Sequence, residues 1–510
     1  MGIDDSHLTA ARASDLKTSR GRFVYRVFEI FPGFLVWGGL ALAIIASWLV
    51  PAAAALFILL FLLYWLLRVL YFAIHLRSAY ARTRRHEKID WLSRIQSLPD
   101  WNRIYHIVVI PTYTEPLEIL RETFRSLQNS DYPKENMIVV LGIEERSGQQ
   151  GIENAKAIEQ EFTNSFFKFL VTFHPDDIEG EIAGKGSNET WATKQVKERI
   201  IDTLDIPLED IIISSLDADT AVLPKYFSCV TYHYLTSPDP LHHSYQPVPL
   251  FLNNIWQASA PSRLFAFATT FWFLMNQERP EKLSTFASHS MPFQTLVEVG
   301  YRQVNYAVDD SRIFWQCFLH YDGNYSVQAL YYPVSMDANT APTFLGTVRN
   351  IYKQQRRWAY GVADIPYFLY GFLQNKKIPL KKKLSLSFDR IESYWSWAMA
   401  SPLIFLLGWL PLMLGGDAFN QTLLSYNLPR FTSWLLTIMM VGLVWSVFLS
   451  LLFLPPRPIH YGRWHYAWIA VQWIFLPPIM IFFAIPAIDA QTRLMLGKYL
   501  GFWVTPKFRK

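Results

Sequence analysis

Long apolar runs lie near both ends of the chain, and between them short apolar runs alternate with polar segments. Residues 30–50 and 52–70 each approach the roughly 20 apolar residues that a helix needs to cross a bilayer. Only Pro51 separates these two runs, so the pattern predicts a hairpin of membrane helices. Three further spanning candidates lie in the last third of the chain, at 394–414, 434–454 and 468–487.

Basic residues flank the hairpin on both sides, in the polar lead 1–27 and in a cluster at 77–88. The positive-inside rule predicts that both flanks are cytoplasmic. A lysine run at 376–383 likewise indicates cytoplasm beside anionic headgroups. Five spans would leave the basic tail on the outside. That tail contains Lys498, Lys507, Arg509 and Lys510. Either one candidate does not cross, such as the proline-containing 468–487, or a span is missed, or the tail is an exception.

Between about residues 101 and 344 no segment is long and apolar enough to span. Short β-branched runs predict strands at 106–110, 137–141, 167–173 and 211–216. Helical patterns alternate with these strands. The alternation predicts an α/β domain with a mostly parallel sheet and helices on both faces. Ligands of such sheets bind beyond the carboxyl ends of the strands.

These patterns divide the chain into six parts. They are a cytoplasmic lead (1–27), a transmembrane hairpin (28–76), a cytoplasmic α/β domain (77–345), interfacial helices (346–390), a transmembrane region (391–490) and a basic tail (491–510).

The composition agrees with a membrane protein. Hydrophobic residues make up 51% of the chain and charged residues 17%, against roughly 25% charged in average soluble proteins. The net charge of +5 is modest, and the basic residues lie beside apolar runs, which argues against a nucleic-acid partner. Cys229 and Cys317 lack a CxxC spacing, so neither a disulfide framework nor a thiolate metal site is indicated.

Two carboxylates follow the strand predicted at 211–216. Asp217 and Asp219 can reach one hard cation and the nucleotide on it. Mg²⁺ or Mn²⁺ favours one or two carboxylates together with phosphate oxygens. A solvated turn is the alternative, since Asp is common in turns. The position behind a buried strand favours the metal site.

Polar side chains also follow the first two strands. Tyr113 can stack on a base, whereas Thr112 and Glu115 can hold its polar edge. An ordinary strand-to-helix turn is the alternative for this segment. Glu144 and Glu145 can accept hydrogen bonds from a base or a ribose, and a solvated loop is the alternative there.

Two more polar segments precede helical patterns. Lys185, within a glycine-containing loop at 184–188, can contact a diphosphate, although the loop lacks the P-loop spacing and a flexible linker is the alternative. Asp309 and Asp310 precede the helical pattern at 312–321. A carboxylate there can cap the helix or take a proton from an incoming hydroxyl.

A Gln-x-x-Arg-Trp motif stands just before the second apolar half of the chain. Gln354, Arg357 and Trp358 share one face of a helix because they are three and four positions apart. A guanidinium can donate to two diphosphate oxygens at once, and an indole can lie against a sugar ring. A basic edge at a membrane surface is the alternative.

In this order and with these spacings, the motifs resemble those of the membrane-embedded family 2 glycosyltransferases, which include the cellulose and hyaluronan synthases. The resemblance extends from about residue 105 to residue 358, together with the layout of the flanking spans. Its most specific motif is Gln-x-x-Arg-Trp, and the segment 504–507 is similar to the cytosolic tail of such proteins. The resemblance implies a GT-A-like sheet domain and an inverting, metal-dependent hexosyltransferase.

The resemblance also implies a role for each candidate residue. Asp219 would bind the metal, Asp310 would be the general base, and Trp358 would contact the acceptor. Donor binding would fall to Thr112, Tyr113, Glu115, Glu144, Glu145, Lys185, Asp217, Gln354 and Arg357.

The chain departs from the family pattern at two places. Glu144-Glu145-Arg146-Ser147 stands where the family usually has Asp-Asp-x-Ser, and the longer side chains alter the contact to the donor base. Residues 286–291 stand where many synthases carry a Gly-rich acceptor motif, which indicates an unusual acceptor.

The expected protein is a multi-pass enzyme of the plasma or inner membrane that extends and exports a polysaccharide from a nucleotide-sugar donor. Transfer of a single sugar to a lipid-linked acceptor is the nearest alternative. A transporter or receptor whose α/β domain only binds a nucleotide is an alternative of another class. It would leave Asp310 and the Gln-x-x-Arg-Trp motif without a role.

Overall fold

The computed structural model describes residues 8–509, and of residues 476–481 it describes the backbone alone. Residues 1–7 of the predicted lead and Lys510 of the predicted tail lie outside the described residues. The strands are β1 (Tyr105–Thr112), β2 (Met137–Glu144), β3 (Lys168–His174), β4 (Ile211–Ser215), β5 (Ala221–Val222), β6 (His243–Leu250), β7 (His289–Pro292) and β8 (Ser326–Ser335). They form one sheet in the order β3-β2-β1-β4-β7-β6-β8-β5.

Helices pack on the sheet and continue beyond it into a helical bundle. They are α1 (Ser19–Leu49), α2 (Pro51–Lys88), α3 (Trp91–Gln96), α4 (Leu117–Gln128), α5 (Gly148–Phe162), α6 (Lys185–Val196), α7 (Asp202–Leu204), α8 (Tyr226–Thr236), α9 (Ala260–Gln277), α10 (Phe293–Glu298), α11 (Asp309–His320), α12 (Phe344–Ala359), α13 (Asp364–Gln374), α14 (Leu380–Leu407), α15 (Leu410–Leu414), α16 (Gly416–Asn420), α17 (Leu423–Phe453), α18 (Trp464–Gln472) and α19 (Leu476–Met495).

The first four strands form at the predicted positions. β1 pairs in parallel with β2 and β4, and β2 pairs in parallel with β3. Successive side chains of β1 enter opposite cores, with Ile107 and Val109 on one face and Val108 and Ile110 on the other. Burial on both faces explains why these strands read as continuous apolar runs. The predicted α/β fold with a mostly parallel sheet is confirmed.

The sequence does not predict the other half of the sheet. β7 runs antiparallel to β4 and β6, β6 runs parallel to β8, and β5 runs antiparallel to β8. β6 contains Pro247 and Pro249, and proline in a strand normally marks an edge or a bulge. The register of β6 with β8 shifts between Gln246 and Val248, so Pro247 lies at such an irregularity.

One buried cluster joins the sheet to the apolar helices. It includes Val36 of α1, Ile58 of α2, Ile107 of β1 and Phe368 of α13. The sequence predicts the aromatic stretch of α13 as a helix lying in the membrane interface. Instead, most of α13 is buried, and it packs against α1 and α11.

Three helices of the described chain, α1, α2 and α17, are long and apolar enough to cross a membrane. α1 and α2 contain the predicted hairpin, and α17 contains nearly all of the predicted span 434–454. The predicted span 394–414 is divided, since α14 ends at Leu407 and α15 begins at Leu410.

The predicted span 468–487 is also divided, since α18 ends at Gln472 and α19 begins at Leu476. Before this segment, Pro455 O accepts a 3.2 Å hydrogen bond from Trp256 of the α/β domain. After it, Met495 O accepts a 2.5 Å hydrogen bond from Arg26 of the N-terminal lead. Both flanks of the segment therefore contact parts of the chain that are predicted to be cytoplasmic. These contacts favour the alternative in which 468–487 does not cross.

Candidate functional site

Polar residues of three neighbouring strands meet at the carboxyl edge of the parallel half of the sheet. β1 ends at Thr112, β2 ends at Glu144, and Asp217 follows the end of β4. The strand order β2-β1-β4 places these three ends side by side. Thr112 is buried, and its hydroxyl donates to Gly142 O at 3.3 Å. This edge is where ligands bind to sheets of this kind.

Lys185, the first residue of α6, connects two of the predicted site segments. Its Nζ donates to Asp217 Oδ1 at 2.7 Å and to Asp310 Oδ1 at 2.8 Å. Asn188 holds α6 against the sheet, because its Nδ2 donates to Gly142 O at 3.0 Å. Burial lowers the pKa of Lys185, but Asp217 and Asp310 outweigh burial and hold that pKa well above its ordinary value. The site therefore contains a permanent cation between two carboxylates.

Asp309 and Asp310 are the first two residues of α11 and differ in exposure. The side chain of Asp309 is 2% exposed, whereas that of Asp310 is 20% exposed. Val308 occupies the N-cap position and makes no side-chain cap, so neither carboxylate caps the helix from there. Burial raises the pKa of Asp310, but Lys185 and Arg302 outweigh it and bring the pKa below its ordinary value of 3.8. Asp310 is therefore an ionised proton acceptor that solvent can reach.

Asp219 lies in a second polar group beside the first. It is 1% exposed, and its Oδ2 accepts hydrogen bonds from Asp337 N at 3.0 Å and Lys507 Nζ at 2.5 Å. Asn253 donates Nδ2 to Asp219 O at 3.0 Å and to Asp337 Oδ1 at 3.1 Å. Burial, followed by the charge of Asp219, raises the pKa of Asp337 to about 7.

Sequence reasoning missed two of these neighbours for a common reason. Asn253 and Asp337 follow β6 and β8, the strands whose patterns the sequence does not reveal. Lys507 carried a signal, since it belongs to the segment 504–507 that enters the resemblance. The resemblance of this segment did not predict that Lys507 contacts Asp219.

The residues around Asp219 fit a divalent cation that is held together with a diphosphate. Among residues 8–509, no cluster of three or more His, Cys, Asp and Glu side chains is arranged to hold a metal alone. Mg²⁺ and Mn²⁺ need only one or two carboxylates where phosphate oxygens complete the shell. Asp219 Oδ1 is buried and has no hydrogen-bond partner in the described chain, so it can serve as such a ligand.

The polar part of the Gln-x-x-Arg-Trp motif lies at the site. Gln354 Oε1 accepts a 2.9 Å hydrogen bond from Asn339 Nδ2. The guanidinium carbon of Arg357 lies 4.6 Å from the ring centre of Phe502, and its Nε is buried with no partner among the described residues. Arg357 is also among the cations that lower the pKa of Asp310. Arg357 therefore has a buried donor without a partner in the described chain, and its charge acts on Asp310.

Trp358, the aromatic part of the motif, packs away from these polar groups. Its ring stacks on Phe265 at 5.5 Å between centres and contacts Phe251 at 6.2 Å. Trp358 is half-buried in the cluster formed by α9, α17 and their neighbours. Part of the indole therefore remains accessible.

The segments predicted to hold the base contact one another. Arg146 pairs with Glu144, and its guanidinium carbon lies 4.4 Å from the ring centre of Tyr113. Glu115 accepts a 2.7 Å hydrogen bond from Tyr113 N, and burial raises the pKa of its carboxyl. Glu144 is 3% exposed, whereas Glu145 is exposed to solvent. The structure thus separates these two acidic residues, and Glu144 alone faces the interior.

The C-terminal tail lies across the site. A Cβ on Gly184 would be 2.5 Å from Phe502 Cγ, so glycine permits the close approach of the tail to the start of α6. Further along, Arg509 donates to both carboxylate oxygens of Asp337, at 2.9 and 2.6 Å. The tail was predicted to be cytoplasmic, but its position within the site was not predicted.

No protein-family model and no curated protein sequence matches the chain. The solved structures that resemble it distantly include three glycosyltransferases of different origin. A mannosyltransferase from Pyrobaculum calidifontis in complex with GDP-Man and Mn²⁺ has a TM-score of 0.42 and 12% identity, covering 84% of this chain and 100% of that one. S. aureus TarS 1–349 with UDP-GlcNAc has a TM-score of 0.37 and 11% identity, covering 77% and 91%. GalNAc-T7 with UDP, GalNAc and Mn²⁺ has a TM-score of 0.32 and 10% identity, covering 63% and 55%.

Proposed function

We propose that the protein is a membrane glycosyltransferase that moves a sugar from a nucleoside-diphosphate donor to a hydroxyl acceptor. The observation that carries the proposal is the pair of hydrogen bonds from Lys185 to Asp217 and Asp310, at 2.7 and 2.8 Å. One buried cation thereby joins a carboxylate at the strand ends to an ionised carboxylate on α11. A diphosphate bound by this cation would lie next to a group able to take a proton.

Asp310 is the proposed general base. It takes the proton of the acceptor hydroxyl while the acceptor oxygen forms a bond to the anomeric carbon. The bond between that carbon and the diphosphate oxygen breaks, and its electron pair leaves with the nucleoside diphosphate. Because one base acts on the face opposite the leaving group, the configuration is inverted.

The leaving diphosphate requires positive charge. Lys185 and the unpartnered Nε of Arg357 supply it from two sides of the site. A Mg²⁺ or Mn²⁺ ion held by Asp219 would add further neutralisation of the phosphate oxygens. Gln354 lies on the same helix face as Arg357 and would orient the diphosphate.

The base of the donor is assigned to the group around Tyr113. The planar guanidinium of Arg146 lies over the Tyr113 ring, 4.4 Å from its centre, and a planar base could stack on the ring in the same way. Thr112, Glu115 and the buried Glu144 would surround the polar edge of the base or the ribose. Glu145 is exposed and would at most contact the outer part of the nucleotide.

A growing polysaccharide is the first acceptor that we propose, with export of the chain beside the apolar helices. Trp358, half-buried on α12, would present its indole to the acceptor sugar. Transfer of one sugar to a lipid-linked acceptor is the second candidate, since the same face lies next to helices long enough to enter a bilayer. A transporter or receptor that only binds a nucleotide is disfavoured, because it would not need an ionised carboxylate beside Lys185.

The proposed location is the plasma or inner membrane, with several crossings and the α/β domain 77–345 in the cytoplasm. Lipids would contact the exposed apolar faces of α1, α2 and α17. The segment 346–390 would connect the α/β domain to the membrane surface.

Labelled nucleotide sugars test the proposal directly. The purified full chain, in lipid nanodiscs with Mg²⁺ or Mn²⁺, is incubated with UDP- and GDP-linked hexoses, and the products are separated by size. A long polymer supports a synthase, and a single labelled lipid supports the second candidate. Absence of both transfer and donor hydrolysis with every sugar would rule out the proposed enzyme. Asp310→Asn serves as the control for contaminating activity.

A further inference from the structure

A buried arginine beneath the proposed base has no role in the motifs above. Arg302 lies in the loop between α10 and α11, and its side chain is 5% exposed. Its Nε lies 2.9 Å from Glu189 Oε2, and its Nη2 lies 3.0 Å from His289 Nε2. Two sides of the guanidinium are therefore fixed by side chains from α6 and β7.

His289 can hold Arg302 only in one protonation state. Its Nδ1 lies 2.9 Å from Phe286 O, and a carbonyl can only accept, so Nδ1 carries the proton. Nε2 is then free to accept from Arg302 Nη2. Burial, followed by the charge of Arg302, holds the pKa of His289 well below its ordinary value. His289 is therefore a neutral acceptor that orients the guanidinium.

The third nitrogen of Arg302 faces the two carboxylates at the start of α11. Nη1 lies 3.6 Å from Asp309 Oδ2 and 3.9 Å from Asp310 Oδ1. It is buried and makes no hydrogen bond to the described residues. Since these distances exceed hydrogen-bond length, Arg302 acts on the carboxylates through its charge.

Two adjacent buried carboxylates cannot both ionise at low cost. Burial, followed by the charges of Asp310 and Glu189, raises the pKa of Asp309 to about 7, even though Lys185 and Arg302 lower it. Burial also raises the pKa of Asp310, but Lys185 and Arg302 outweigh it, and the net pKa is lowered. Lys185 donates a hydrogen bond to Asp310 and not to Asp309. The negative charge of the pair is therefore held on Asp310.

We propose that Arg302, oriented by His289 and Glu189, is a positioning residue that stabilises the negative charge of the α11 carboxylate pair, which the hydrogen bond from Lys185 directs to Asp310. The inference rests on the proposed function, in which Asp310 is the general base. It explains why a cation whose side chain is only 5% exposed is buried beside the α11 carboxylates. The cation stabilises the ionised form of the base in the absence of the donor.

Several charged groups face Asp310 from the elements packed against it. Their signs oppose one another, so the contribution of Arg302 must be measured separately. The cations are Lys185, Arg302 and Arg357, and the anionic or titratable neighbours are Asp309, Glu189, Asp217 and His289.

The test is the pH dependence of kcat/KM for sugar transfer, which reports the base in the free enzyme. The wild-type profile is expected to stay flat down to about pH 5, since the base stays ionised. The acid limb of the profile is the fall in kcat/KM at low pH, as the base becomes protonated. Arg302→Met should shift this limb to higher pH by roughly one to three units, with a smaller loss of kcat/KM at neutral pH. Arg302→Lys keeps the charge and should restore most of the wild-type limb.

Arg312 provides a matched control. It is a buried arginine on α11 whose Nε donates to Asp364 Oδ1 at 2.7 Å, and the leading cations that lower the pKa of Asp310 are Lys185, Arg302 and Arg357 instead. Arg312→Met, which removes a buried positive charge as Arg302→Met does, should lower the Tm and leave the acid limb unmoved. An Arg302→Met profile that falls equally at every pH would show a merely structural role and overturn the inference.

Two further outcomes are decisive. If Arg302→Met does not fold, His289→Gln replaces it, because this change loosens the guanidinium without removing its charge. An acid limb that moves upward supports the inference, and an unmoved limb overturns it. A wild-type chain that transfers no sugar defeats the proposed function and the inference together, whereas an active chain with unmoved limbs defeats the inference alone.

Discussion

Lys507 Nζ lies 2.5 Å from Asp219 Oδ2, and the two residues are 288 positions apart in the chain. The ammonium occupies one oxygen of the carboxylate that is proposed to bind the metal. The other oxygen, Oδ1, has no partner in the described chain. A buried carboxylate is stabilised by a nearby positive charge, and either an ammonium or a divalent ion can supply it. The Lys507 ammonium and the metal would therefore both neutralise Asp219.

Removal of the ammonium should make metal binding more important for stability. Lys507→Met leaves the buried carboxylate of Asp219 without its cation, whereas Asp337 keeps Arg509. Removal of one partner of such a buried pair costs about 3 kcal/mol or more. The Tm in EDTA should fall, and Mn²⁺ should raise it by more than in the wild type. The exposed Lys498 gives the matched variant Lys498→Met. If Mn²⁺ raised the Tm of both variants by the same amount, Lys507 and the metal would not neutralise the same carboxylate.

Asp219→Ala should abolish metal-dependent binding of the donor. The change removes the unpartnered Oδ1, the oxygen that would hold a divalent cation together with the diphosphate. Calorimetric titration of the donor nucleotide with Mn²⁺ and with EDTA measures the difference. In the wild type the metal should tighten binding, whereas in the variant the two titrations should coincide. A variant that stays active and binds the donor without metal would refute the metal assignment.

Asp310→Asn should abolish transfer and leave donor binding nearly intact. The amide has almost the same shape but cannot accept the hydroxyl proton, and loss of a general base costs about 10²- to 10⁴-fold in rate. Single-turnover transfer and donor titration are measured on the same preparation. Loss of donor affinity in parallel with activity would instead place Asp310 among the donor-binding groups.

The stability of the α/β domain should fall as the pH is lowered through the range of histidine titration. His106 on β1 is fully buried, its Nε2 lies 2.8 Å from Thr231 Oγ1, and burial lowers its pKa to about 3. Between about pH 6.5 and pH 3 the unfolded chain therefore binds a proton that the folded chain does not bind. Each pH unit in this window costs about 1.4 kcal/mol. Above about pH 6.5 His106 is neutral in both the folded and the unfolded chain, so its burial no longer lowers the stability.

His106→Gln removes this titration and should reduce the dependence of Tm on pH between 7 and 5. Part of the dependence should persist, because burial also lowers the pKa values of His233 and His289. The exposed His320 at the end of α11 supplies the comparison variant His320→Gln. The wild-type slope should persist in the comparison variant. An undiminished slope in His106→Gln would show that other groups control acid unfolding.

The parallel half of the sheet could be predicted because its strands are buried on both faces. The eight residues of β2 are all buried, and such strands leave a continuous apolar run in the sequence. The carboxyl ends of the strands then follow from the chain direction alone. Asp217, Thr112 and Glu144 could therefore be assigned to one edge before any coordinates.

The rest of the site could not be predicted because its members follow elements with no regular pattern. β7, which carries His289, has only four residues, and β6 contains two prolines. Arg302 lies in a loop whose sequence gives no sign that its side chain is buried. Contacts such as that of Lys507 with Asp219 depend on tertiary packing, which local spacing does not encode.

The buried cluster that joins Ile107 of the sheet to Val36 and Ile58 of the apolar helices affects how the protein can be handled. The limits at 77 and 345 mark changes in composition, but they are not places where the polypeptide can be cut. A recombinant fragment of 77–345 would lose α1, α13 and most of α2, and the apolar surface that these helices cover would be exposed to water. Such a fragment should precipitate without detergent, so crystallisation and assay alike call for the full-length chain.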